Sequence, residues 1–317
     1  MPPSIIEVAY TLTAKSPSGA TTTFRFNNTR HARSGVNINE CVNLGTTENP
    51  ANALQVANFF DVMSLTEKTI SGPGLPTATW SYDYNAAPLG ADFWGHLNQA
   101  YQYPCTTCVL DKTITVLEPD GTQRRYRFGI EYALNDGRQL QVDTLRTDGS
   151  VIRTQTDDYL PESAASTQPF YPEYGNILGG VGDPAAAHIR PIVDSYIRQD
   201  GVTFDSTVNS FDAFARVTKQ TNASGLGYSR VEETTYSDNT SKWVLGQVAQ
   251  RKVNGTTEVL TTYDSTMALP LTYSAFGNLK QTLTWNGDGT IASVKDGNNH
   301  LTTASNWKRG IPQAIGH

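Results

Sequence analysis

Apolar and polar residues alternate with a period of two along much of this 317-residue chain, the period of a strand with one face covered and one face wet. In "KTITVLEPDGTQRRYRFG", Ile114 and Val116 alternate with Thr, Pro119-Asp120-Gly121 reverse the chain, and Tyr126 and Phe128 alternate with Arg on the return. A second hairpin is predicted in "YTLTAKSPSGATTTFRF", turning at Ser18-Gly19, and a third pairs "SLTEKTISG" with "TATWSYDY" across Pro73-Gly74. Asp-Gly at 120, 136, 148, 200, 288 and 296, and Asn-Gly at 254 and 286, mark further reversals, because these dipeptides accept the positive φ of tight turns. One segment breaks the pattern with helical spacing: Ala53, Val56, Phe60 and Met63 follow an Asn49-Pro50 start. Another, from Asp157 to Pro191, is rich in Pro, Gly and Ala and predicts a long irregular connection. The expected organisation is a hairpin region over 1–156, this connection over 157–191, and a second β region over 192–317. Gly179-Gly180-x-Gly182 within the connection lacks the strand-turn-helix setting of a phosphate loop and reads as plain loop.

Self-similarity sharpens the reading of the second half. "NSFDAFARVTKQ" and "TYSAFGNLKQTL" share an aromatic residue, a polar or small one, a glycine-like position and a following aliphatic. The instances are Phe211-Asp212 leading to Ala215-Arg216-Val217, Tyr273-Ser274 leading to Gly277 and Leu279, Trp285-Asn286 leading to Gly289 and Ile291, and Tyr263-Asp264 with Leu269 beyond. Tyr236-Ser237 leading to Gly246 and Val248 is a stretched relative, and Tyr132 leading to Gly137 and Leu140 echoes the phrase in the first half. The expected logic is local. The aromatic ends a strand and packs on its counterpart in the next unit, Asp, Asn or Ser bonds the turn backbone, and Gly277 or Gly289 supplies positive φ. Each copy then needs its neighbours to cover its apolar face.

Tyr-Asp-x-x-Gly-Arg-Leu is the signature of the RHS or YD-repeat family, which "FDAFARVTKQT" and "YSAFGNLKQTLTWNGDGTIASVKDGNN" resemble. "TVLEPDGTQRRYRFG", "WVLGQVAQ" and "NWKRGIPQAI" are similar to the non-repeat stretches of bacterial wall-associated members, so the resemblance runs from about residue 65 to the end. It implies an all-β fold of consecutive antiparallel hairpins forming a curved ribbon or partial shell, with at most one or two short helices. It also implies a structural role without activity of its own. The shell holds a C-terminal toxin for delivery to a competing bacterium, and the full-length product is secreted or on the cell surface. The partners so implied are the rest of the shell and the toxin domain. The family's Pro-x4-Asp-Pro-x-Gly cleavage motif is not found, and the chain ends at "AIGH". The expectation is an amino-terminal or internal piece of a larger product.

Composition changes this picture little. Charged residues are 17% of the chain, against about 25% on average, and a net charge of −6 with scattered Lys and Arg argues against nucleic acid or anionic lipid as partner. "MPPSIIEVAY" shows no secretory signal, and no apolar run is long enough to insert in a membrane. Cys105 and Cys108 form a lone C-x-x-C and Cys41 stands far upstream. Half a zinc site, a redox pair, a disulfide using Cys41, and inert thiols are the alternatives. No second C-x-x-C or H-x3-5-H completes a zinc set, and no cofactor is expected. His31, His96, His188, His300 and His317 stand singly, without a hydrolase or P-loop motif. Asp157-Asp158 and Glu232-Glu233 mimic a glycosidase pair, but neighbours in a strand point to opposite faces. Trp80 and Tyr82 in "TWSYDY" support a second reading, a cell-surface carbohydrate-binding module, against which cross-strand packing is the simpler account.

Overall fold

The structure, a computed structural model, describes residues 7–34, 59–84, 109–131, 134–171 and 189–317. The chain forms two compact units, Met1–Phe204 and Asp205–His317. The first holds strands β1 (Ala9–Lys15), β2 (Thr21–Ala32), β3 (Phe59–Gly72), β4 (Leu75–Asp83), β5 (Asp111–Leu117), β6 (Gln123–Gly129), β7 (Gln139–Leu145), β8 (Val151–Tyr159) and β9 (Ile192–Gln199). Each pairs antiparallel with the next. The division falls within β10 (Val202–Phe211). The second unit continues with β11 (Val217–Ser224), β12 (Ser229–Asn239), β13 (Val244–Val253), β14 (Thr256–Tyr263), β15 (Pro270–Ala275), β16 (Asn278–Trp285), β17 (Ile291–Asp296), β18 (Leu301–Ser305) and β19 (Ala314–Gly316). From β11 onward the antiparallel pairing again follows chain order. The fold is all-β, a succession of hairpins, and the helix among the described residues is the single turn α1 (Glu162–Ala165).

Register places like with like. Ile114, Tyr126 and Val142 face one another across β5, β6 and β7, and Leu283 faces Val294 across β16 and β17. Burial is nevertheless thin. Among the described residues the buried apolar side chains are Ile130, Leu145, Leu160 and Ala165 in the first unit, and Phe211 and Ala268 in the second. Most other strand positions are half-covered, so the backbone ladders and the turns must supply much of the order.

One reversal recurs at residues 16–20, 118–122, 146–150, 212–216, 224–228, 286–290 and 296–300. The first N–H of the loop donates to the fifth carbonyl, and the fourth N–H donates to the first carbonyl. The fourth residue has positive φ in every copy: Gly19, Gly121, Gly149, Ala215, Gly227, Gly289 and Asn299. This is a type I turn closed by a left-handed residue. Asp stabilises it from either of two places. At the third position the Asp120, Asp148 and Asp288 carboxylates accept from the fifth N–H at 2.9, 2.8 and 3.0 Å. At the first position Asp212 and Asp296 accept from the third and fifth N–H groups. The Asn254-Gly255 and Phe276-Gly277 reversals instead have both central residues at positive φ, the type I′ hairpin turn.

The helix expected over residues 49–63 is corrected where it can be compared: Phe60 and Met63 are strand residues of β3, while residues 49–58 lie outside the described ones. Asp61 is opposite Arg30, and Phe60 is opposite His31. This ladder and its ion pair override a weak local periodicity. Within the stretch read as irregular connection, β8 continues to Tyr159 and α1 follows. The Leu160 N–H donates to the Pro191 carbonyl at 2.8 Å, which brings the two ends of that stretch together.

A Cβ at Gly277 would meet nothing within 4 Å, and one at Gly289 would meet only Leu269 Cδ1 at 4.0 Å, so substitution there tests conformation alone. Gly277→Val and Gly289→Val are each expected to cost at least ~1–2 kcal/mol in urea unfolding. Ala215→Gly should relieve a comparable left-handed strain and return about 0.4–1 kcal/mol through a looser unfolded chain, leaving a small net stabilisation.

Candidate functional site

The repeated phrase converges on one edge of the second unit. Phe211, Tyr236, Tyr263 and Trp285 stand at or near the ends of β10, β12, β14 and β16, and Trp307 follows β18. At three of these ends the next strand carries one extra residue, a β-bulge: Ala249 between the partners of Thr235 and Tyr236, Leu271 between those of Thr262 and Tyr263, Ala292 between those of Thr284 and Trp285. A bulge removes a carbonyl from the regular ladder. The aromatic of the following hairpin supplies the missing donor. The Tyr263 hydroxyl donates to Val248 O (3.0 Å), Trp285 Nε1–H to Pro270 O (2.7 Å), and Trp307 Nε1–H to Ile291 O (3.0 Å). Tyr236 likewise donates to Val217 O, the first residue of β11, at 3.2 Å. The first unit repeats the device in Tyr84 to Leu65 O and Tyr159 to Gln139 O, both 3.0 Å, again beside bulges. What recurs is a ring tip bonded to a backbone carbonyl, a role the sequence phrase did not announce.

The polar residue after the aromatic organises the turn. Asp212 Oδ1 accepts from Phe214 N (2.9 Å) and Arg216 N (3.0 Å), and Asp264 Oδ1 accepts from Thr266 N (2.8 Å) and Met267 N (2.6 Å). The Asp264 loop is one residue longer, closing with Asp264 N on Leu269 O, and Ala268 takes the left-handed place. Arg216 joins two such loops. Its Nε donates to Asp212 Oδ2 at 2.7 Å, and its two terminal nitrogens grip Asp238 at 2.9 and 2.6 Å. Its guanidinium lies 4.2 Å from the Tyr236 ring centre and 4.9 Å from that of Phe214. The hydrogen bonds from Arg216 hold the Asp238 carboxyl below its ordinary range. A depression of about 550 Å³ opens over this cluster, yet its charged groups are paired with one another.

Tyr273 does not join the series. It lies inside β15 opposite Gln281, and the reversal that follows is the Phe276-Gly277 type I′ turn. Sequence reading missed two members. Trp307 precedes a turn at Arg309-Gly310 with no Asp, and Asp296 heads a turn of the Asp212 kind preceded by Lys295. A search for Asp five residues before an aliphatic finds the second. Gly297 was expected to turn the chain, but Asn299 does so, and a Cβ on Gly297 would sit 2.6 Å from Leu279 O.

The other candidate residues are dispersed. Asp157 is buried and accepts from Ser195 Oγ at 2.6 Å, while Asp158 is exposed. Glu232 pairs with Arg230, and Glu233 pairs with Lys219. Trp80 donates to Glu118 at 2.6 Å and carries Lys68 over its ring at 4.2 Å, so that face is covered by a cation. His300 contacts Asp296 and His317 contacts Thr302. Cys41, Cys105, Cys108, His96, His188, Tyr132 and Gly179 to Gly182 lie outside the described residues. Among the described residues no group of three or more His, Cys, Asp or Glu is placed to hold a metal ion.

A denser polar cluster occurs in the first unit, where the end of β2 meets the hairpin of β5 and β6. Arg30, buried, forms a two-bond pair with Asp61 (both 2.7 Å), and this holds the Asp61 carboxyl below its ordinary range. Arg33 Nε bonds Asp136 at 2.6 Å. The Ser34 N–H donates to Ile130 O (2.8 Å), its hydroxyl donates to Val109 O, and Ser34 bridges Glu131 in parallel. β2 and β6 are four strands apart in the ladder, about 19 Å in a flat sheet, so these bonds require the sheet to bend here.

The staples separate tyrosines by role. Tyr263→Phe is expected to destabilise the chain by about 1 kcal/mol, because Val248 O loses its donor. Tyr273→Phe should change stability by less than about 0.5 kcal/mol, since its hydroxyl makes no hydrogen bond among the described residues. Denaturant midpoints of the two variants check this, and equal losses would refute the assignment.

No family model matches the chain, and no curated protein matches it in sequence. Among solved structures it is similar to a porin-like protein from Bacteroides uniformis, at 9% identity over 98% of this chain and 93% of that chain, with a TM-score of 0.26. It is also similar to the Photorhabdus luminescens Tc holotoxin pore, at 10% identity over 96% of this chain and 15% of that chain, with a TM-score of 0.39. Both likenesses are too remote to bear on function.

Proposed function

We propose that this chain is a length of wall, an RHS/YD-type ribbon whose hairpins help enclose a C-terminal toxin and deliver it in bacterial competition. The observation that carries the reading is the series of aromatic tips at the ends of alternate strands. Each bonds the backbone of the hairpin before it, so the recurring residues serve continuation of the sheet. The depression over Asp212, Arg216 and Asp238 is lined by charges paired with one another, and the wall itself is assigned no chemistry. On this reading the full-length product acts at the cell surface or outside the cell, and its partners are the remaining shell and the cargo.

The enclosure is tested on the complete product of the coding region, by limited proteolysis of any segment that follows the wall. Such a segment should resist digestion in the intact product and become labile when Tyr236→Phe and Tyr263→Phe are combined. Equal cleavage in both overturns the reading. A second consequence concerns this chain expressed alone. β1 is exposed along its whole length, with Tyr10 60% and Leu12 48% exposed, and exposed apolar strands of this kind recruit other strands. Light scattering should therefore show self-association, and a compact monomer would count against a wall missing its neighbours.

A further inference from the structure

His31 sits where the end of β2 meets the β5 hairpin, and its surroundings fix its protonation. Its ring stacks on Phe60 of β3 (centres 5.5 Å apart, 15° between planes) and takes Tyr84, which follows β4, edge-on at 5.7 Å. The Lys112 ammonium of β5 lies 2.9 Å from Nδ1, and Ser64 Oγ of β3 lies 3.3 Å from Nε2. A charged lysine has only protons to give, so Nδ1 is the acceptor. The Ser64 hydroxyl is directed to Val62 O at 3.3 Å, leaving its oxygen to accept from Nε2–H. The ring is thus neutral, with its proton on Nε2. The other charged groups at this place are Asp61 of β3, held by Arg30 of β2, Arg33, which lies 4.8 Å from the Phe60 ring centre and pairs with Asp136, and Glu131, buried after β6 and bridged to Ser34.

We propose that His31 and Lys112 form an acid-sensitive latch, in which protonation of His31 ends the Lys112 hydrogen bond and releases the end of β2 from the β5–β6 hairpin. A proton on Nδ1 would place two cations in contact and leave Lys112 without its acceptor. Asp61, whose oxygens are both bonded by Arg30, offsets this only in part. The ladders on either side do not depend on this contact, so opening is local. Burial, and then the charge of Lys112, lower the His31 pKa from its usual 6.5 to about 4, with Asp61 opposing. Burial also pushes the Lys112 ammonium down. The sign follows from linkage. Between these two pH values the opened form binds a proton that the latched form refuses, so the latch is fully stable above pH 6.5 and weakens as pH falls towards 4. The latch holds whatever the sheet encloses, and its test is independent of the wall reading.

Amide exchange on the full chain, corrected for the intrinsic pH dependence of exchange, reads the opening at Ser34 N, which bonds Ile130 O across the contact. The open fraction should rise by up to about tenfold per pH unit between roughly pH 6 and 4.5, while Tyr126 in the middle of the β5–β6 ladder does not respond. His31→Gln, which keeps an acceptor towards Lys112 and a donor towards Ser64, should abolish the rise. An equal rise in His31→Gln overturns the latch. If that variant does not fold, imidazole NMR of the wild-type chain decides: titration near pH 4, moved upward in Lys112→Met, supports the latch, and titration near 6.5 with the contact intact overturns it.

Discussion

A backbone carbonyl removed from a strand ladder must find another donor, and this protein answers that requirement with aromatic side chains. The bulges beside Tyr236, Tyr263 and Trp285 twist the strands and displace the carbonyls of Val248, Pro270 and Ile291. The next hairpin satisfies each with a phenol or indole tip. A ring of this kind covers the apolar residues beneath it while its polar end reaches the backbone, so one residue joins consecutive hairpins in two ways. Phenylalanine covers but cannot bond, and at Phe211 the neighbouring Asp212–Arg216–Asp238 clamp ties one loop to the next.

This arrangement suits a chain with few buried side chains. Where a two-layer domain gains its stability from a shared core, the hairpins here rest on ladder hydrogen bonds, to which several add a self-capped turn or a staple to the hairpin before. Stability is then close to a sum of neighbour terms, and a lesion at one staple weakens one junction. The first unit adds a different device at the end of β2, where Arg30–Asp61, Arg33–Asp136, Ser34–Ile130 and Lys112–His31 gather within a few residues. Charges so placed give a firm contact at neutral pH, and their mutual proximity makes that contact sensitive to one added proton.

The legibility of the chain follows the range of the interactions. Hairpins at Ser18-Gly19, Pro73-Gly74 and Asp120-Gly121 were readable because turn residues and strand alternation act over a few positions. The aromatic-Asp phrase was readable for the same reason. Its partner was not, since Val248 O and Pro270 O lie 15 residues from Tyr263 and Trp285 and belong to residue types that carry no signal for the role. Tyr273 shared the phrase and lies beside a bulge, yet it falls inside a strand and its hydroxyl makes no hydrogen bond among the described residues, whereas Trp307 bonds its carbonyl without the phrase. Phe60 and Met63 kept a helical spacing that pairing with β2 overrode.

The amino-acid sequence by itself determined the class of fold, the places where the chain reverses and the residues that stabilise each reversal, because those depend on backbone preference and on neighbours in the chain. Only the tertiary structure decided which carbonyl each ring serves, which charges meet at His31, and which repeats are in phase. The carbonyl each ring serves depends on a bulge that shifts register by one residue, and the charges at His31 depend on strands far apart in the chain coming together; a one-residue shift exchanges the faces of a strand without altering its composition.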